Sequence, residues 1–181
     1  MSTRSVGQQS TTERGEQGSD DHEAESSGHG HGESNLGNPV KEATVRMVSD
    51  DEGYHFIAHL VHVEVGGTVR WTNDVGMHDT VAYHPDNGRS LRMPADATPW
   101  ASDLLHMMEP NSYEHTFDVA GVYDYFCTPH EQYGMVGRVV VGDPDLHDQP
   151  AMADPGDDLP SEARTVVEEF NHQVNDTLHT H

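Results

Sequence analysis

Tyr123-Asp-Tyr-Phe-Cys-Thr-Pro-His-Glu-Gln-Tyr-Gly-Met-Val-Gly137 sets Cys127, His130 and Met135 at C-x2-H-x4-M, in a loop between two strand-like runs. The alternating Tyr123 to Phe126 leads in and Val136-Gly-Arg-Val-Val-Val141 leads out. One short loop therefore offers a thiolate, an imidazole and a thioether from one side. A thiolate favours Cu(I), an imidazole serves both copper states and a thioether makes a weak axial bond, so the donor set suits copper. Cys127 is the only cysteine, which excludes an internal disulfide, zinc sites with two or more thiolates, and four-thiolate iron–sulfur clusters. A fourth donor has to come from elsewhere in the chain. His78 is the candidate, because it stands where Trp71-Thr-Asn-Asp-Val-Gly-Met77 runs into a strand at Thr80–Tyr83. His84 competes from the same strand face, but at its far end, directly before Pro85. His55, His59, His62, His106 and His115 have no motif behind them and read as structural or exposed.

Working outward, the texture from Val40 onward is that of short strands separated by turn signals. Val40–Val48 reads as a first strand. In Phe56–Val65, Ile57, His59, Val61, Val63 and Val65 share one face at period two, as a half-buried strand requires. Gly66-Gly67 then reads as a hairpin turn into Thr68–Thr72. Thr80–Tyr83, Tyr113–Phe117, Gly121–Cys127 and Val136–Val141 complete the set. Residues 84–103, with Pro85, Gly88, Pro94 and Pro99, read as a long connection. Seven or eight short strands with frequent turns predict an all-β, antiparallel Greek-key sandwich or barrel.

Three segments follow from this reading: a tail at 1–38, one domain at 39–142, and an acidic linker with a short helix at 143–181. The tail is low-complexity Ser, Gly, Gln, Glu and His, including His22, His29 and His31. It is too poor in apolar residues to offset ordering entropy, which predicts disorder. Pro144, Pro150, Pro155 and Pro160 mark 143–160 as linker. Beyond Ser161, the residues Ala163, Val166, Val167, Phe170 and Val174 form one apolar helical stripe. That stripe is expected to pack back on the domain, with partner docking as the alternative.

Tyr123, Tyr125, Cys127, Pro129, His130, Gly134, Met135 and Gly137 meet the pattern Y-x-[YF]-x-C-x-P-H followed by G-M-x-G. Over about residues 40–142 the chain resembles the plastocyanin, pseudoazurin and halocyanin group of cupredoxins. Together with its acidity, it is similar to the haloarchaeal halocyanin-type proteins. The resemblance implies a cupredoxin barrel holding one type 1 (blue) copper through His78, Cys127, His130 and Met135. The implied function is one-electron transport between a protein donor and a protein acceptor, not enzymatic turnover. Copper storage or delivery, using the same domain and the His-rich tails, is the competing function. The chain departs from the pattern at Asp79, where many members carry asparagine after the first histidine ligand. An ionised carboxylate there is expected to stabilise Cu(II) and lower the reduction potential.

Nine Lys and Arg against 32 Asp and Glu give a formal charge of −23 over 181 residues, and Lys41 is the only lysine. Such a chain repels nucleic-acid phosphates and anionic membrane surfaces. The charge is spread along the chain, which fits solvation in high salt better than one docking patch. No run of residues is apolar enough to span a membrane. No secretory h-region or lipid-anchoring cysteine is seen in residues 1–38. The family resemblance implies an extracytoplasmic location and a monomer; the residues themselves leave the location open.

Overall fold

The computed structural model describes residues 33–106 and 111–178. Its strands are β1 (Ser34–Asp50), β2 (Gly53–Ile57), β3 (Leu60–Asn73), β4 (Val81–Ala82), β5 (Ser112–Phe117), β6 (Gly121–Phe126) and β7 (Val136–Val141). One helix, α1 (Ser161–Leu178), closes the described chain. Hydrogen-bonded neighbours run β2-β1-β3-β7-β6-β4, and β5 pairs with β3. The all-β architecture with a C-terminal helix is as the sequence indicates.

β3 organises the fold, and it corrects the hairpin expected at Gly66-Gly67. The chain does not reverse there. Leu60–Val63 pairs with β7 and Gly67–Thr72 pairs with β5, so one strand passes from one half of the barrel to the other at the glycine pair. Gly66 has φ +83°, a backbone region that most residues with a Cβ avoid, and it allows the bend without ending the strand. β1 follows on the other side, from Ser34↔Leu60 to Met47↔Asn73, with its register shifting around Val40. The β1–β3 and β3–β7 pairs are parallel, contrary to an all-antiparallel reading. A Greek-key path produces them, because β2 hairpins back along one edge of β1 and β3 then returns on the other.

Two further boundaries move. Residues 34–38, assigned by composition to the tail, belong to β1, where Leu36 is buried. The tail from 1 to 32 lies outside the described residues. The segment 143–160 is packed rather than free: 3-10 turns at Leu146–Asp148 and Pro150–Met152 accompany burial of Leu146, Ala151 and Leu159.

Alternation explains why β6 and β7 are buried on both faces. Tyr123, Tyr125, Val139 and Val141 point into the barrel core with Val45, Met47, Trp71 and Phe117. Val122, Phe126, Val136 and Val140 point outward into a second layer with Leu146, Leu159, Val167, Phe170 and Val174. The helical stripe thus packs on its own domain. Each buried Val or Phe there contributes roughly 1.5–3 kcal/mol. Asp124 and Arg138 share the outward face and are fully buried, bonded to each other at 2.6 Å and 3.0 Å. Arg92 joins Asp124 at 2.9 Å, and both guanidinium groups also reach the Ala151 carbonyl.

Candidate metal centre

β6 ends at Phe126 and delivers Cys127 at one end of the barrel. The chain then folds into a tight loop: His130 N–H donates to the Cys127 carbonyl, and a 3-10 turn spans Glu131–Tyr133. Met135 N–H donates to the His130 carbonyl at 3.2 Å, and Cys127 N–H donates to the Met135 carbonyl at 3.1 Å. These bonds bring Cys127, His130 and Met135 together before β7 begins. Gly137 is required by packing, since an added Cβ would fall 2.2 Å from the Tyr125 ring. His78 arrives from the β3–β4 connection. Its backbone bonds Leu105 in both directions, at 3.2 Å and 2.7 Å, which fixes its height on the barrel.

The side chains converge. Cys127 Sγ lies 3.6 Å from His78 Nδ1 and 3.4 Å from His130 Nδ1, and the two Nδ1 atoms are 3.1 Å apart. Among the described residues these three form the cluster of His, Cys, Asp and Glu ligand atoms that falls within 4.8 Å. His78 and Cys127 are buried and His130 is partly open. Met135 is buried in the same core cluster as Cys127. His84 is elsewhere: its Nδ1 accepts the Asp86 N–H at 3.1 Å and caps the Pro85–Asn87 turn.

The surroundings set the donors' protonation. His78 Nε2 is 3.0 Å from the Val75 carbonyl and 3.0 Å from Ser49 Oγ. Donating to the carbonyl places the ring proton on Nε2 and leaves the Nδ1 lone pair facing the cluster. Burial lowers the pKa of His78 and of His130, so both rings tend to stay neutral. Burial pushes the Cys127 thiol up to about 12, while backbone N–H groups of Asp79 and His130 act in the opposite sense. Without a cation the thiol keeps its proton, and a thiophilic metal has to displace it. Two imidazole lone pairs and a sulfur aimed at one point form a donor set that a soft or borderline cation satisfies.

Asp79 ties the His78 segment to the Cys127 loop, its Oδ1 accepting the Thr128 N–H at 2.5 Å. Tyr54 stacks face to face on His130, with ring centroids 3.7 Å apart and an interplanar angle of 10°. Tyr54 and Ser49 were not legible as site residues, because they come from another part of the chain with no motif spacing. Four of the histidines with no motif behind them have structural contacts: His55, His59, His62 and His115. His55 faces Asp50, His62 lies between the Gly37 and Gly142 carbonyls, and His115 stacks on Trp100. His59 stacks on Phe170. His106 is exposed.

The model for copper binding proteins of the plastocyanin/azurin family matches residues 43–142, more than half of the chain. The chain belongs to that family. Copper is the cofactor of this plastocyanin/azurin-family chain, and the donor chemistry of the cluster fits it. Plastocyanin from Scenedesmus fuscus is 32% identical over 102 residues, covering 55% of this chain and 99% of the relative. Plastocyanin from Tetradesmus obliquus is 32% identical over 99 residues, covering 55% of this chain and 66% of the relative. Halocyanin from Natronomonas pharaonis is 34% identical over 102 residues, covering 55% of this chain and 56% of the relative. In fold, the chain is similar to pseudoazurin from Hyphomicrobium denitrificans, with a TM-score of 0.59 and 23% identity; the match covers 74% of this chain and 98% of that one. No helix among the described residues is long and apolar enough to cross a membrane.

Proposed function

We propose that His78, Cys127, His130 and Met135 hold one copper ion in a type 1 site, and that the protein carries single electrons between a protein donor and a protein acceptor. The convergence of His78 Nδ1, His130 Nδ1 and Cys127 Sγ on one point carries this reading. Bound copper supplies a one-electron couple. A carrier needs donors that stay in place as the charge changes, and the chain restrains each of them. Val75 and Ser49 hold His78, Tyr54 covers a face of His130, and Asp79 joins Thr128 to the His78 segment. Phe126 and Thr128 flank Cys127, so no histidine stands beside it to couple a second, catalytic copper.

The electron leaves through His130, the least buried of the three clustered donors. Val75, Met77, Leu104 and Tyr133 are exposed large apolar residues within three residues of His78, Leu105 or His130. With Gly76, Pro129 and Gly134 they form a rim on which a partner docks briefly. The protein works as a monomer on the extracytoplasmic side, and its acidity is an adaptation to high salt of the haloarchaeal kind.

The test is to load the protein with Cu(II) in high salt and record visible absorption and electron paramagnetic resonance spectra, with Cys127→Ser alongside. We expect an intense thiolate-to-copper band and narrow copper hyperfine splitting, both lost in the variant. A pale tetragonal Cu(II) spectrum that Cys127→Ser leaves unchanged would refute the carrier and favour copper handling.

A further inference from the structure

Glu131 follows His130 directly, yet it is buried, with 5% exposure. A carboxylate in that position needs partners, and it has two from the segment after β4. Arg89 grips it as a fork, Nη2 to Oε2 at 2.8 Å and Nε to the two oxygens at 3.3 Å and 3.2 Å. The Tyr83 hydroxyl donates to Oε1 at 2.9 Å. Burial and the Glu131 carboxylate both push the Tyr83 phenol up, so it remains a donor. The same two residues also hold the other end of the loop. The Arg89 guanidinium lies 4.8 Å from the Phe126 ring centroid, and the Tyr83 ring is 4.7 Å from it. Phe126 immediately precedes Cys127.

The clamp is itself anchored. Tyr83 N–H donates to the Asp124 carbonyl at 3.0 Å, and Arg92 N–H donates to the Tyr83 carbonyl at 3.0 Å. Arg89 N–H donates to the His84 carbonyl across the turn that His84 caps. We propose that Glu131, gripped by Arg89 and Tyr83, is a positioning residue that fixes the loop carrying Cys127, His130 and Met135. Resting on the assignment of those residues as copper ligands, it adds a second restraint opposite Asp79. Asp79 holds the loop at Thr128 from the His78 side, and the clamp holds it at Phe126 and Glu131. The loop then keeps one geometry in both oxidation states, which speeds electron exchange.

The decisive variant is the double substitution Arg89→Met with Glu131→Gln, because it removes the clamp without changing net charge. Tyr83→Phe, which deletes one oxygen, serves if the double variant folds poorly. The first readout is hydrogen exchange at the Gly134 and Met135 amides in the metal-free full chain. These amides donate to the Glu131 and His130 carbonyls. Loss of the charged hydrogen bonds should speed their exchange about tenfold or more, with core β7 amides unchanged. The second is the electron self-exchange rate of the copper-loaded protein, expected to fall about tenfold if a loosened loop adds about 1.4 kcal/mol to the barrier. Wild-type amide exchange in a folded variant, double or Tyr83→Phe, overturns the proposal. An unmutated protein without the intense copper band would overturn the carrier reading instead, while the metal-free amides would still decide the clamp.

Discussion

Asp79 carries the departure from the asparagine common at this place, and its side chain both bonds and charges the site. Oδ1 accepts the Thr128 N–H, a role that an asparagine oxygen fills equally well. What asparagine lacks is the negative charge. A carboxylate close to copper favours Cu(II) over Cu(I), so Asp79→Asn should raise the reduction potential. One unit charge several ångström away at an effective dielectric near 20 is worth about 2–3 kcal/mol, on the order of 100 mV for a one-electron couple. A redox titration of both proteins checks it, and an unchanged or lower potential in the variant would refute the charge argument. At this scale the loop proposed to hold copper was readable as one unit because Cys127, His130 and Met135 are close in sequence and chemically unlike their neighbours. The restraints were not. Tyr54 meets His130 across 76 positions of chain, and Arg89 meets Glu131 across 42, so no spacing rule marks either pair.

At the scale of elements, the inward alternation of β6 was readable from Tyr123, Tyr125 and Cys127, and the end of β7 from its apolar run. The outward face was harder to read. Asp124 and Arg138 interrupt it, and charged residues at those places suggest a solvated surface. Only the fold reveals that residues 143–178 cover them, with Arg92 and the Ala151 and Ala153 carbonyls completing the network. Gly66-Gly67 misled for a related reason. A glycine pair permits either a reversal or a bend, and the choice is made by β1, β5 and β7, which lie elsewhere in the chain. The buried network gives a sharp test of the C-terminal cover. Asp124→Asn leaves two buried guanidinium groups without their carboxylate, and breaking such a pair costs about 3–5 kcal/mol. Chemical denaturation should show a lower midpoint with an unchanged slope. A midpoint within error of wild type would mean that the Arg92 and Arg138 side chains reach water when Asp124 is neutralised, and that the cover is loosely held.

For the whole molecule the governing quantity is the charge of −23. The six arginines among the described residues are all engaged in ion pairs: Arg46 with Asp74, Arg70 with Glu114, Arg89 with Glu131, Arg92 and Arg138 with Asp124, and Arg164 with Asp157. Lys41 alone adds an exposed lysine. The net charge is therefore strongly negative and little offset by free cations among the described residues, which opposes the compact state and any anionic partner. Salt relieves both effects. In concentrated salt, however, long-range steering is lost as well, because the Debye length shrinks from about 10 Å at 0.1 M to about 3 Å at 1 M. On the proposed carrier reading, docking then has to depend on short-range contact, which the exposed Val75, Met77, Leu104 and Tyr133 would offer. The unfolding midpoint of the metal-free protein should rise between 0.1 M and 1 M KCl and level off beyond, since screening is nearly complete when the Debye length is shorter than the spacing of surface charges. Thermal scans across that range decide the matter. A flat midpoint would show that the charges are too far apart in the folded chain to repel. A rise that continues undiminished above 1 M would assign the stabilisation to salt excluded from the protein surface instead of to screening.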